Sequence, residues 1–360
     1  MPSRNPRRMF VWLALTSIAL LVAIGLWKTR SPQSGQSAFS ARPNRVMGTD
    51  CLLTTVVQTG DARRAQKALQ DAEAALRHVE TLMSTYLEAS EVSRLNTAPP
   101  GEPVSLSPQT LDVLQVAQAM ATQTDGAFDV TCRPLVQLWK HAGREGRLPT
   151  PEEWAQARAS SRWDHIRILE NGAVKSSGSA RIDLGGVAKG YAIDRAVDAM
   201  QAAGCIGGLV NIGGDLRSFD NSPEGTVSNI ELRNPFEDNI WTVLSIRNRA
   251  VCTSGNYARF VTINGKRYSH IVNPVTGMPA DRVPSVTVTA PTAVAADAWA
   301  TALSVLGASG LSRMPPEDDM DAMVVVGASH DYQIHLTEGF RKRLPPAFLS
   351  EQKNRLSPAN

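Results

Sequence analysis

The stretch Arg181-Ile182-Asp183-Leu184-Gly185-Gly186-Val187-Ala188-Lys189-Gly190-Tyr191 most constrains what this chain can fold into. A β-prone run, Ala180 to Leu184, carries the carboxylate of Asp183 to its end. Two glycines turn the chain, and a helical pattern follows from about Val187 to Ala203, with Val187, Tyr191, Ala192 and Val197 apolar. A strand, a glycine turn and a helix N-terminus together form an anion cradle, because free backbone N–H groups and the helix dipole converge where glycine permits close approach. Lys189 adds a positive charge in the first turn. An Asp beside a phosphate repels it unless a metal or a ligand N–H stands between them, so the expectation is a metal-assisted nucleotide-phosphate site. A plain turn would use the same glycines, and neither the three-glycine dinucleotide fingerprint nor a Gly-Lys-Ser/Thr phosphate loop is present.

A second constraint is the pattern Ala293–Gly307, which is apolar nearly all round and therefore expected to be a buried helix. It carries Asp297 one turn from Thr301, with no Arg or Lys of its own. A buried carboxylate costs several kcal/mol unless paired or metal-bound. Two partners remain open: a basic side chain from elsewhere, or a hard, oxygen-ligated cation such as Mg²⁺.

Other elements are legible from periodicity and turn chemistry. Asp61 to about Tyr86 reads as a long amphipathic helix with Ala65, Leu69, Ala72, Leu76, Val79, Met83 and Tyr86 on its apolar stripe. Ser107-Pro108 and Thr150-Pro151 each open a helix. Gly207–Ile212 reads as a buried strand ending in Gly213-Gly214-Asp215, and Asn264-Gly265 as the turn of a hairpin. Cys51, Cys132, Cys205 and Cys252 lie far apart without a Cys-x-x-Cys pair, which argues against zinc or thioredoxin-type chemistry; buried thiols are expected, with a disulfide left open. His270, at a strand end before Asn273-Pro274-Val275-Thr276-Gly277, is the histidine best placed for chemistry.

The formal charge of +3 comes from the first 49 residues, which hold seven basic residues and no acid. The remainder has 30 basic against 34 acidic residues, which argues against nucleic acid as a partner. Arg4, Arg7 and Arg8 precede nineteen uncharged residues, Met9–Trp27, close to the ~20 needed to cross a bilayer. Residues 1–30 are therefore expected to be an export signal or membrane anchor. Arg7-Arg8-Met9-Phe10-Val11 is similar to part of a twin-arginine signal, a Sec leader being the alternative. The Arg-rich side should stay in the cytoplasm, placing the body on the periplasmic side, exported or held at the inner membrane through residues 9–27. Residues 31–45 are expected to be a disordered linker, and residues 331–360 a polar C-terminal tail.

Eight motifs then fall in one order: Met47-Gly48-Thr49; Met83-Ser84-Thr85-Tyr86 with Ser90 to Asn96; Gly126-Ala127-Phe128-Asp129; Asp183 to Asp194; Val210-Asn211-Ile212-Gly213-Gly214-Asp215; Thr253-Ser254-Gly255-Asn256-Tyr257; His270 to Gly277; and Ala296-Asp297-Ala298-Trp299-Ala300-Thr301-Ala302. In this set the chain resembles the FAD:protein FMN transferases, the ApbE-like family, over residues 46–330. The twin-arginine-like leader resembles that of the branch accessory to nitrous oxide reduction. The resemblance implies an α+β, T-fold-like architecture: a two-lobed mixed sheet core with helices and FAD in a cleft between the lobes. It implies flavin-nucleotide contacts at Met47, Tyr86, Ala127, Phe128, Asp129, Asp183, Lys189 and Ile271. Mg²⁺ positions are implied at Gly186 (carbonyl), Asp297 and Thr301, and catalytic ones at His270, with Asp183 the rival base. The implied reaction is Mg²⁺-dependent transfer of FMN from FAD to a Thr or Ser hydroxyl of an exported or membrane redox flavoprotein, releasing AMP. An FAD pyrophosphatase giving FMN and AMP, or a passive exported flavin-binding protein, are the competing functions. Four positions depart from the family pattern: Asn273 for the usual Asp, Val275 for the common Arg, and Cys132 and Arg133 for a small pair.

Overall fold

A computed structural model describes residues 35–221, 227–255 and 260–357. The proposed leader, residues 1–30, lies outside the described residues, as do Asn256 and Tyr257 of the sixth motif. Nine strands form one sheet whose spatial order is also chain order. They are β1 (Gln36–Ala41), β2 (Cys51–Gln58), β3 (Gly207–Ile212), β4 (Asp215–Asp220), β5 (Ala250–Gly255), β6 (Ser285–Ala290), β7 (Asp321–Ala328), β8 (Asp331–Leu336) and β9 (Leu356–Ser357). Neighbours pair antiparallel except β8 and β9, which are parallel. The α+β class is as expected: a meander in which consecutive strands pair, with everything else inserted between strands.

Side chains along each strand alternate between two cores. Leu53 and Val57 of β2, Ala250 and Cys252 of β5, and Ala322 and Val324 of β7 face the larger core. That core is completed by the Ala62–Met83, Ala188–Ala202 and Ala293–Leu306 helices. Leu216, Val251 and Met323 face the opposite side, which is covered by a two-stranded ribbon (Ser228–Arg233 and Ile240–Ile246) and the C-terminal segment. A third, small core of Leu135, Trp139, Ala142, Ala157, Ile263 and Val272 forms a second lobe. It is built from the Arg133–Glu145 and Pro151–Ser160 helices and the Phe260–Ile263/Lys266–Ser269 hairpin. The hairpin turns at Asn264 and Gly265, both at positive φ, as the Asn-Gly pair predicts.

Three expectations are corrected. Residues 36–41, expected within the disordered linker, form β1 in register with β2 from Gln36↔Gln58 to Ala41↔Leu53. Its Ser and Gln content suits an edge strand whose outer face meets water, and Ser40 and Thr54 hydroxyls bond across the pair at 2.9 Å. Residues 331–357 are ordered rather than a tail: Phe340, Leu344 and Phe348, four residues apart within a polar sequence, are buried on the second face. Ala180–Leu184 joins no strand ladder. Instead the Asn96 side chain substitutes for a neighbouring strand, its amide donating to the Ile182 carbonyl (2.9 Å) and its oxygen accepting the Ile182 N–H (2.7 Å). The four cysteines are free thiols, three of them buried.

Candidate active site

The segment leaving Ile182 carries Asp183, whose N–H is held by the Val130 carbonyl at 2.7 Å. The turn that follows differs from the open cradle expected of it. Gly185 N–H donates to Asp183 Oδ1 (3.0 Å), Val187 and Ala188 N–H donate to the Leu184 carbonyl, and Gly190 N–H donates to Asp297 Oδ2 (3.0 Å). The donors that would have received a phosphate are largely taken by the protein's own oxygens, two of them carboxylates. Positive charge for an anionic ligand must therefore come from side chains or a cation.

The Ala188–Ala202 and Ala293–Leu306 helices cross so closely that a Cβ at Gly190 would lie 2.2 Å from the Ala293 carbonyl oxygen. Glycine is needed there for the contact. Asp194 reinforces the crossing. It accepts Ala293 and Val294 N–H at 2.9 Å each and pairs with Arg217 at 2.7 Å, capping a helix whose own Thr292 makes no cap bond. Burial lifts the Asp194 carboxyl above its ordinary range against the pull of Arg217.

That crossing buries Asp297, which is 3% exposed. Its partner is Lys189, at 3.3 Å, so the basic side chain from elsewhere exists. Lys189 also bonds Asp215, which follows the Gly213-Gly214 turn and is oriented by Thr253 N–H at 2.9 Å. Burial raises the Asp297 carboxyl, with Lys189 opposing and Asp215 adding to the rise. Burial would lower the Lys189 ammonium, but Asp215 and then Asp297 raise it overall. The Cys252 thiol beneath them is raised by burial and by the same two carboxylates, and so stays protonated.

Two carboxylates against one ammonium leave this buried cluster with a surplus negative charge. The Thr301 hydroxyl, one turn after Asp297, lies 3.4 Å from the Gly186 carbonyl oxygen. A carboxylate, a hydroxyl and a carbonyl with surplus negative charge are hard oxygen donors suited to Mg²⁺. Among the described residues no group of three or more His, Cys, Asp or Glu side chains is placed to hold a metal ion by itself. A metal here would depend on the hydroxyl and carbonyl.

Asp183 Oδ2 is paired with Arg133 at 2.9 Å, from the first turn of the Arg133–Glu145 helix. Tyr86, 84% exposed, stands with Arg133 and Asp183 on the wall of a cleft of about 570 Å³, which is also lined by Gln137, Lys140 and Arg144. Phe128 and Ala127 are buried after the Asp125-Gly126 turn, and Phe128 packs 3.3 Å from where a Gly186 Cβ would be. Asp129 Oδ1 accepts the Thr131 N–H and hydroxyl (2.8 and 2.7 Å); burial raises its carboxyl against those bonds. Met47 occupies a tight turn at positive φ between Val46 and Thr49. A Cβ on Gly213 would come within 2.7 Å of the Thr49 hydroxyl, so this turn lies against the one preceding Asp215.

His270 and Ile271 follow the Lys266–Ser269 strand on the second lobe, both half-buried. Gly186, Lys189, Asp297 and Thr301 are thus gathered in one cluster, with Phe128 against Gly186; Asp183 and Tyr86 line the adjoining cleft, and His270 and Ile271 belong to the other lobe. The Asn273 side-chain oxygen accepts Val275 and Thr276 N–H (2.9 and 3.1 Å), a role a carboxylate oxygen fills equally well, so the departure from Asp leaves the turn intact. Val275 is exposed and lies 3.6 Å from a Cβ built on Gly126, where the second lobe meets the first.

Three residues of the site were not singled out from the sequence. Asp215 was visible as the acid after a second Gly-Gly turn. Arg133 stood as a departure from pattern. Nothing local marked Asn96 as the brace for Ile182.

Comparison with known proteins agrees with this architecture. The sequence profile of the ApbE family matches residues 47–324. An FAD:protein FMN transferase of Vibrio cholerae is 33% identical over 302 residues, covering 82% of this chain and 90% of that protein. The solved flavin transferase ApbE from Vibrio cholerae superposes with a TM-score of 0.74 at 31% identity, covering 86% of this chain and 99% of that one. The apo flavinyl transferase ApbE of Pseudomonas stutzeri gives 0.73 at 28%, covering 86% and 96%. With the profile spanning most of its length, and a relative above 30% identity matched nearly end to end, this chain belongs to the ApbE family.

Proposed function

We propose that this chain, a flavin transferase by family, moves the FMN moiety of FAD onto a Thr or Ser hydroxyl of an acceptor flavoprotein and releases AMP. The observation that carries this is the buried Asp297–Lys189–Asp215 cluster beside the Gly186 carbonyl and Thr301 hydroxyl, with its surplus negative charge. Asp297, Thr301 and Gly186 would hold Mg²⁺, which when bound neutralises charge on the diphosphate and the departing AMP.

The chain's own groups do the rest. Lys189 keeps the two buried carboxylates from repelling each other. Phe128 packs beside Gly186. In the transfer step the acceptor hydroxyl oxygen forms a bond to the FMN phosphorus. The bond from that phosphorus to the bridging oxygen breaks, AMP leaves with the bridging oxygen, and the hydroxyl proton passes to a base. His270 is assigned that proton because imidazole titrates near neutral pH. Both oxygens of the rival, Asp183, are engaged by Gly185 and Arg133.

The acceptor is proposed to be an exported or membrane redox flavoprotein, met on the periplasmic side. The support is the arginine-flanked uncharged stretch Met9–Trp27.

The test is in-gel flavin fluorescence of the protein mixed with FAD, Mg²⁺ and an acceptor bearing a Ser/Thr flavinylation segment. A denaturation-resistant fluorescent acceptor band, lost with EDTA and with Asp297→Ala, is expected. AMP and FMN without that band would replace transfer by hydrolysis, and bound FAD without either product would leave a carrier.

A further inference from the structure

We propose that Arg133 is the substrate-positioning cation of this site, receiving the FAD diphosphate while holding Asp183. The inference rests on the flavin-transferase reading and adds to it a residue from the second lobe. The turn from Asp183 to Gly190 spends its N–H groups on Asp183, Leu184 and Asp297, so it offers a diphosphate few donors and two carboxylates. Lys189 is committed to Asp215 and Asp297. An anion reaching Asp183 would meet net repulsion unless a further cation stood there.

Arg133 does stand there. It is delivered from the second lobe by the first turn of the Arg133–Glu145 helix, with its guanidinium 2.9 Å from Asp183 Oδ2. Both side chains are partly buried, at 19% and 27% exposure, so the pair is screened less than a surface bridge. Only one guanidinium nitrogen is engaged in this pair, and a planar fork with five donors can grip a phosphate while still bonding a carboxylate. Pro134 and the buried Leu135 fix the helix start, so the guanidinium is anchored rather than free on a loop. The side chain also lines the open cleft with Tyr86 and Asp183, where a ligand can reach it.

The test is FAD binding, read by flavin fluorescence on the full-length protein with Mg²⁺ and with EDTA, for wild type and Arg133→Lys, Arg133→Gln and Arg133→Glu. A charge-assisted bond removed at a partly buried site corresponds to roughly ten- to hundredfold weaker binding for Arg133→Gln. Arg133→Lys should recover part of that loss, Arg133→Glu should be weaker still, and the salt dependence of FAD affinity should flatten in Arg133→Gln. Equal affinities for Lys, Gln and Glu, or a salt dependence unchanged from wild type, would overturn the proposal and leave Arg133 a structural tie between lobes. Binding is read without turnover, so a protein that binds FAD by this order yet transfers nothing would sink the transferase reading and leave Arg133 in place. Wild-type protein that binds no FAD would overturn both.

Discussion

Replacing Asp297 with Asn separates the two roles this carboxylate could have. The substitution keeps an oxygen that can accept the Gly190 N–H, now bonded at 3.0 Å, but sets an amide NH2 against Lys189 where Oδ1 now accepts. Lys189 keeps Asp215 as its counterion. What disappears is the surplus negative charge of the cluster. Without divalent metal, Asp297→Asn should therefore stay within about 1 kcal/mol of wild type, because removing a carboxylate that burial disfavours offsets the lost Lys189 bond and the donor–donor contact of the new amide.

With Mg²⁺ the order reverses. A ligand at a hundred times its dissociation constant stabilises the folded state by about 2.7 kcal/mol. At roughly 2 °C per kcal/mol for a chain of this size, that is a rise of about 5 °C in Tm. Asp297→Asn should lose nearly all of this rise, and transfer should fall by roughly 10²–10³. The assay is thermal unfolding of the full-length protein with Mg²⁺ or EDTA, followed by the flavinylation gel. An equal Mg²⁺-induced rise in both proteins would place any metal elsewhere. A loss of several kcal/mol in EDTA would make Asp297 a structural ion pair and refute the reasoning.

Two further outcomes follow from groups beneath the site. Lys175 is 1% exposed and donates to the Asn96 carbonyl at 2.7 Å; burial pulls its ammonium down to about 8. The folded state thus holds fewer protons than the unfolded chain between about pH 8 and 10.5, so wild-type stability should rise across that window, by about 3 kcal/mol in all. Lys175→Met should be more stable at pH 7 and lack this rise; parallel urea-midpoint curves for the two proteins would contradict it. Asn96→Ala should cost about 2–5 kcal/mol, since both polar backbone groups of the fully buried Ile182 lose the side chain that bonds them. A denaturant midpoint within experimental scatter of wild type would show that water or a shifted strand replaces the amide.

Elements whose signals are local were legible in the sequence. The Ser107-Pro108 and Thr150-Pro151 helix starts are observed with their capping hydroxyls, and the Asn264-Gly265 hairpin with its positive φ angles. The burial of Asp297 followed from the wheel of its own helix, because a helix apolar all round has no wet face for a carboxylate. Composition misled where few residues carry the burial. Five buried apolar side chains, Ile334, Leu336, Phe340, Leu344 and Phe348, order a segment that reads as polar, and a Ser- and Gln-containing edge strand reads as a spacer.

The sequence by itself thus determined most helices, the Asn264-Gly265 hairpin, and that a buried acid on the Ala293–Leu306 helix needed a positive partner, while the order of strands in one sheet came from the structure. Only the tertiary structure decided who that partner is. Lys189 lies 108 residues away in the chain, and the close helix crossing at Gly190 brings it to Asp297. The same crossing closes the anion cradle, since Asp297 takes the Gly190 N–H that the turn alone would have left open. Arg133 reaches Asp183 across 50 residues only because the second lobe packs its helix start against that turn. Periodicity and turn chemistry report on neighbours within a few residues. Charge balance at a buried site is a sum over side chains that only packing brings within a few ångströms of one another.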